Sequence, residues 1–93
     1  MELPINYNFA SAKSKKAARE QYVIEQNRMC CFCKGSLDEK APQEVRNKKI
    51  DWRLFPPHFL KYPIHLHHDH NTGMTIGAVH NYCNAVLWQY HGE

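Results

Sequence analysis

Cys30-Cys31-Phe32-Cys33 holds a C-x-x-C pair, and His80-Asn81-Tyr82-Cys83 holds an H-x-x-C pair. Two ligands three positions apart on a tight turn can converge on one tetrahedral ion. A second such turn a few dozen residues away completes the shell. No coordination position is then left open, so the ion stabilises without catalysing. The expectation is a structural zinc held by Cys30, Cys33, His80 and Cys83. Buried free cysteines are the bland alternative, and they leave the matching of the two pairs unexplained. Cys31 is a surplus, assigned to packing or to a spare thiol; the shifted register, with Cys31 and Cys33 as ligands, stays open. Gly35 follows the first pair and is expected to supply the backbone freedom such a turn needs.

The second concentration of chemistry is His65-Leu66-His67-His68-Asp69-His70. On an extended strand His65 and His67 face one side and His68 and His70 the other. Imidazoles beside a carboxylate suit the wall of a second metal site, with one histidine acting as general base. Plain alternatives are a metal scavenger or further ligands to the zinc.

The elements that must position these residues read as α+β. Residues 10–28 suit a helix with Ala10, Ala17, Ala18, Tyr22 and Ile24 on one buried face. Residues 1–9 read as an irregular lead-in, 29–35 as the first zinc knuckle, and 36–50 as a polar loop with a short helical turn. Pro56, Pro57 and Pro63 exclude regular helix or a central strand over 54–63. Phe55, Phe59 and Leu60 in that stretch are expected to lie across the core. A strand from Ile64, an Asn71-Thr72-Gly73 turn and a strand over 74–79 predict a hairpin, followed by a helix over 81–90.

Ninety-three residues suit a single domain spanning 1–93, small enough to need a staple. No secretion signal is visible over 1–10, and no apolar run approaches the roughly 20 residues of a membrane span. An intracellular, cytoplasmic protein is expected, where reducing conditions favour metal over disulfide. The net charge is +3, but all 12 Lys and Arg lie between Lys13 and Lys61, while six of the seven histidines lie beyond Tyr62. A basic N-terminal part attracts phosphate backbones. Lys13, Lys15, Lys16, Arg19, Lys48 and Lys49 are candidates for that contact, each also readable as a solvated charge. Trp52 and Trp88 read as packing residues that could stack on bases.

The combined pattern resembles the recombination endonuclease VII branch of the HNH (ββα-metal, His-Me finger) nucleases. That branch carries C-x-x-C, then an H-x-D-H-D-H-x-T-G strand end and turn, then a strand ending in R-G-x-x-C-x-x-C-N. The matching stretches are Cys30 to Cys33, His65 to Gly73, and Ile76 to Asn84. The resemblance does not reach the N-terminal helix or residues 36–61. It implies a zinc-stabilised ββα-metal core over 62–90 with His68 as the general base. It also implies that His67 and Asn84 hold a catalytic divalent ion, and that His65 and His70 contact phosphate or support the site. Three departures stand out. His67 replaces an Asp, which shifts preference from Mg²⁺ toward Mn²⁺, Co²⁺ or Ni²⁺. His80 replaces a Cys in the zinc shell. Ile76 stands where the branch has Arg, removing one phosphate contact.

The implied activity is metal-dependent hydrolysis of DNA, most simply nicking, leaving 5′-phosphate and 3′-hydroxyl ends. The resemblance leaves open whether the protein acts as a monomer or a homodimer. The rival reading is a non-catalytic zinc module for nucleic acid or protein, which gives the histidine cluster no role. A zinc hydrolase built on that cluster is a further rival, but the H-E-x-x-H spacing is missing.

Overall fold

Ser11 starts the first helix, because its hydroxyl accepts the Ser14 N–H at 3.1 Å. In the computed structural model, which describes residues 1–92, this helix (α1) covers Ala12–Glu25. Glu93, the end of the expected domain, lies outside the described residues. A four-residue helix (α2, Gln43–Arg46) and a 3₁₀ turn (Trp52–Leu54) precede a hairpin of β1 (Ile64–His68) and β2 (Thr75–His80). The last helix, α3 (Asn81–His91), follows β2 without a loop. Among the described residues no helix is long and apolar enough to cross a membrane.

Helix α1 stops short of the expected residue 28 because Asn27 (φ 54°) and Arg28 (φ 59°) take left-handed conformations. Of its expected inner face, Ala18 is buried and Tyr22 half-buried, whereas Ala17 and Ile24 are exposed and Val23 is buried instead. The buried and half-buried positions 14, 15, 18, 19, 21, 22, 23 and 26 follow helical spacing. Ala10 precedes the helix, and Ala17 and Ile24 lie on its opposite side.

The hairpin pairs Ile64 with His80, His65 with Val79, Leu66 with Ala78 and His67 with Gly77. The register then slips, so that His68 faces Thr75 and Ile76 is the extra residue on β2. Asp69 builds the turn, and its carboxylate accepts the N–H groups of Asn71 and Thr72. Gly73 closes it with φ +79°, where a side chain would also meet Asn8 at 2.7 Å.

The outer edge of β2 is covered along its length. The Thr75 N–H donates to the Ile5 carbonyl, and the Ile5 N–H donates to the Thr75 hydroxyl. The Tyr7 N–H donates to the Gly73 carbonyl. The lead-in, expected to be irregular, thus lies along this strand. Farther along, the Gln26 side chain accepts the Ala78 N–H and donates to the Ala78 carbonyl, both at 2.9 Å. One amide side chain thereby takes the place of a neighbouring strand residue.

The core joins Val23 of α1, Ala78 and Val79 of β2, and Cys83, Val86 and Leu87 of α3. Leu37, Ala41 and Val45 anchor the otherwise polar stretch beneath them. Residues 54–63 do not cross this core as expected. Leu54 and Leu60 are exposed, while Phe55 and Phe59 are half-buried in a wall beside α3. The short aliphatic side chains from β2 and α3 already fill the centre, so the large rings pack at its margin.

Gln26→Ala leaves the buried Ala78 N–H without its partner and is expected to cost about 1–3 kcal/mol. In a domain of this size that lowers Tm by at least about 4 °C, measurable by thermal melting.

Candidate metal centre and adjoining histidine cleft

The first knuckle is a short turn closed by the Cys30 N–H to Gly35 carbonyl bond at 2.7 Å and the Lys34 N–H to Cys30 carbonyl bond at 3.0 Å. The positive φ it requires falls on Lys34 (67°), not on Gly35 as expected. Gly35 contributes its N–H instead, donating to Cys33 Sγ at 3.4 Å, and Phe32 N–H does the same for Cys30 Sγ at 3.4 Å. His80 ends β2 and Cys83 lies on the first turn of α3, so the strand–helix junction supplies the second pair.

The donor atoms of Cys30, Cys33, His80 and Cys83 all lie within 4.8 Å of one another. His80 Nδ1 is 3.4 Å from Cys33 Sγ and 3.6 Å from Cys83 Sγ. A tetrahedral ion with ordinary zinc–sulfur and zinc–imidazole bonds would set that separation at about 3.5 Å. His80 Nε2 faces the Ser36 and Glu39 carbonyls at 2.8 and 3.0 Å. Carbonyls only accept, so Nε2 carries the proton and the Nδ1 lone pair is turned toward the sulfurs. Hydrogen bonding from Cys83 holds the Cys30 thiol down at about 4 despite its burial. The Cys83 thiol is pushed up, first by that same bond and then by burial, and burial raises Cys33. Sulfurs this close cannot all ionise without a cation among them. The cluster can therefore hold a metal such as zinc. Cys31 lies outside it and packs on β2, where a side chain at Gly77 would meet Cys31 Sγ at 3.1 Å.

Beside this centre lies a cleft of about 620 Å³ between α1, β1, α3 and residues 54–62. Helix α1 lines it with Lys15, Lys16 and Arg19. The hairpin contributes His65, His68 and His70, and α3 contributes Asn84 and Trp88. Lys13, Lys48 and Lys49 do not line it. The Lys49 carbonyl, for example, accepts from Gln89 and Tyr90 at the far end of α3.

His68 stacks on Tyr7, with ring centroids 3.9 Å apart and planes within 5°. Lys15 Nζ lies 4.0 Å from the Tyr7 centroid, and His70 meets His68 edge-on at 4.7 Å. Burial, then the charges of His70, His67 and Lys15, hold the His68 pKa below the ordinary histidine value; Asp69 acts the other way. Asp69 itself is committed to the turn, whose N–H groups keep its carboxyl below the usual range. Tyr7 escapes sequence reasoning, since it reaches His68 only through the long-range pairing of the lead-in with β2.

His65 Nδ1 lies 3.1 Å from Asn84 Nδ2. His67 is only 4% exposed and does not line the cleft. Helix α3 starts straight after His80, which pairs with Ile64, so its first turn stands beside the start of β1. His67 lies two residues, about 6.6 Å, farther along the strand. Burial foremost, with Arg19 contributing, lowers the His65 pKa, and Phe59 packs edge-on against the His65 ring at 4.7 Å.

The purified protein is expected to carry one zinc through the Cys30, Cys33, His80 and Cys83 cluster. Elemental analysis should find that zinc retained in Cys31→Ser and lost in Cys33→Ser and Cys83→Ser. Chelation should abolish the cooperative thermal transition followed by circular dichroism.

No family model, curated protein or solved structure matches this chain, so the case for its chemistry rests on these side chains and their geometry.

Proposed function

We propose that this chain is a divalent-metal-dependent DNA endonuclease of the ββα-metal (HNH) type, resembling the recombination endonuclease VII branch. The supporting observation is the convergence of His65, His68, His70 and Asn84 on one cleft that Lys15, Lys16 and Arg19 also line. Phosphate-binding cations and a neutral imidazole facing the same space suit phosphodiester hydrolysis.

His68 is the general base. Its lowered pKa keeps the ring neutral near pH 7, ready to take a proton from water at the nitrogen facing the cleft. Tyr7 fixes the plane of that ring, and His70 stands at its edge to meet a phosphate oxygen. Lys15, Lys16 and Arg19 bind the flanking backbone. Asn84 would hold the catalytic ion with His67, as the resemblance implies, and with His65, whose ring lies 3.1 Å from the Asn84 amide. When bound, that ion supplies Lewis-acid polarisation of the phosphate and stabilises the leaving 3′ oxygen. An imidazole ligand favours Mn²⁺, Co²⁺ or Ni²⁺ over Mg²⁺. The zinc assigned to Cys30, Cys33, His80 and Cys83 is structural. It holds the start of α3, and Asn84 with it, against the hairpin.

Supercoiled plasmid incubated with the zinc-loaded protein should be converted to open circle, fastest with Mn²⁺, Co²⁺ or Ni²⁺. His68→Ala should slow this by about 10²–10⁴-fold. His65→Ala and His67→Ala should each demand more divalent metal for the same rate. Absence of cleavage with every metal would overturn the nuclease reading and leave a zinc-stabilised binding module.

A further inference from the structure

The cleft has a second wall that backbone hydrolysis does not explain. From His65 outward, Phe59 packs edge-on at 4.7 Å, Phe55 lies 4.7 Å from Phe59, and Trp88 lies 5.1 Å from Phe55. These rings form a continuous row leading from the histidines to the surface, where Trp88 is 39% exposed. The same cleft is lined from α1 by Lys15, Lys16 and Arg19. In a duplex the base faces are stacked on one another and cannot reach such a row. A single strand presents both a phosphate backbone for the cations and free base faces for the rings. Its backbone charge also matches the basic helix, whereas an apolar peptide would leave those cations uncompensated.

We infer that the cleft takes single-stranded DNA, with bases stacked along the Phe59–Phe55–Trp88 row and the backbone running along the basic face of α1. Stacking on aromatic side chains together with cationic tracking of the backbone is how sequence-tolerant single-strand binding is built. The volume of about 620 Å³ falls in the range of pockets that enclose small molecules, and so suits individual unpaired nucleotides rather than the girth of a duplex. The inference rests on the nuclease reading for the position of the scissile phosphate at His68, but the binding it describes can be measured without cleavage.

The test uses zinc-loaded, full-length His68→Ala protein and a fluorescently labelled oligothymidylate. The comparison is a mixed-sequence duplex with the same number of phosphates at the same salt concentration, read by anisotropy. The single strand is expected to bind at least about 10-fold more tightly. Adding Trp88→Ala should weaken single-strand binding by roughly 10-fold, the scale of one base–aromatic stack, and leave duplex binding unchanged. Trp88→Phe should restore most of the loss, which separates stacking from a folding defect. Equal affinity for the two forms, or an equal loss on both from Trp88→Ala, would overturn the inference. Single-strand preference in a protein whose wild type cleaves nothing would uphold the binding track and overturn only the nuclease reading.

Discussion

The convergence of three thiols and one imidazole organises the whole domain, because Cys30 and Cys83 share its centre with the aliphatic side chains of β2 and α3. The largest fully buried side chains are Val79, Val86, Cys30 and Cys83, and two of those four belong to the ligand cluster. Everything that must be fixed in space is attached to it. The knuckle follows α1, His80 terminates the hairpin, and Cys83 begins α3. The carbonyls of Ser36 and Glu39 draw the next stretch of chain onto the same imidazole. A chain this short gains more from such a junction than from further apolar contacts, since it has too little interior to multiply them.

The cleft depends on that junction through one covalent neighbour. Asn84 adjoins Cys83, so whatever orients the thiol also orients the amide. The register of the hairpin brings His65 level with the first turn of α3, beside Asn84. On the other side, α1 presents its cations at the spacing of one helical face, and the lead-in delivers Tyr7 to the ring of His68. The lead-in, α1, residues 54–62 and α3 therefore meet around the histidines of the hairpin.

The parts of this arrangement legible in the sequence are those governed by short-range spacing. The C-x-x-C and H-x-x-C pairs predict the cluster, because ligand separation along a turn fixes where the sulfurs and nitrogen fall. Hairpin and final helix follow from alternation, turn residues and helical periodicity. What escaped was set by contacts between distant segments. The burial of α1 was misassigned because Ala and Ile at seven-residue intervals mimic a packing face, and only the sheet decides which side is covered. The left-handed residue of the knuckle fell on Lys34, since the hydrogen bonds of the turn outweigh the usual preference for glycine. The nearness of His65 to Asn84 is set by strand register, which local sequence does not encode.

The amide of Gln26 on the outer edge of β2 has a consequence for how the protein behaves in a crowded solution. A two-stranded sheet ordinarily offers an open row of donors and acceptors on which another chain can build, the first step toward aggregation. Here the lead-in occupies one end of that row, while Gln26 and the Cys31 N–H occupy the other. Because a side chain has no further edge of its own to offer, the growth of the sheet stops at Gln26. On this side the hairpin is thereby shielded from recruiting a neighbour's strand.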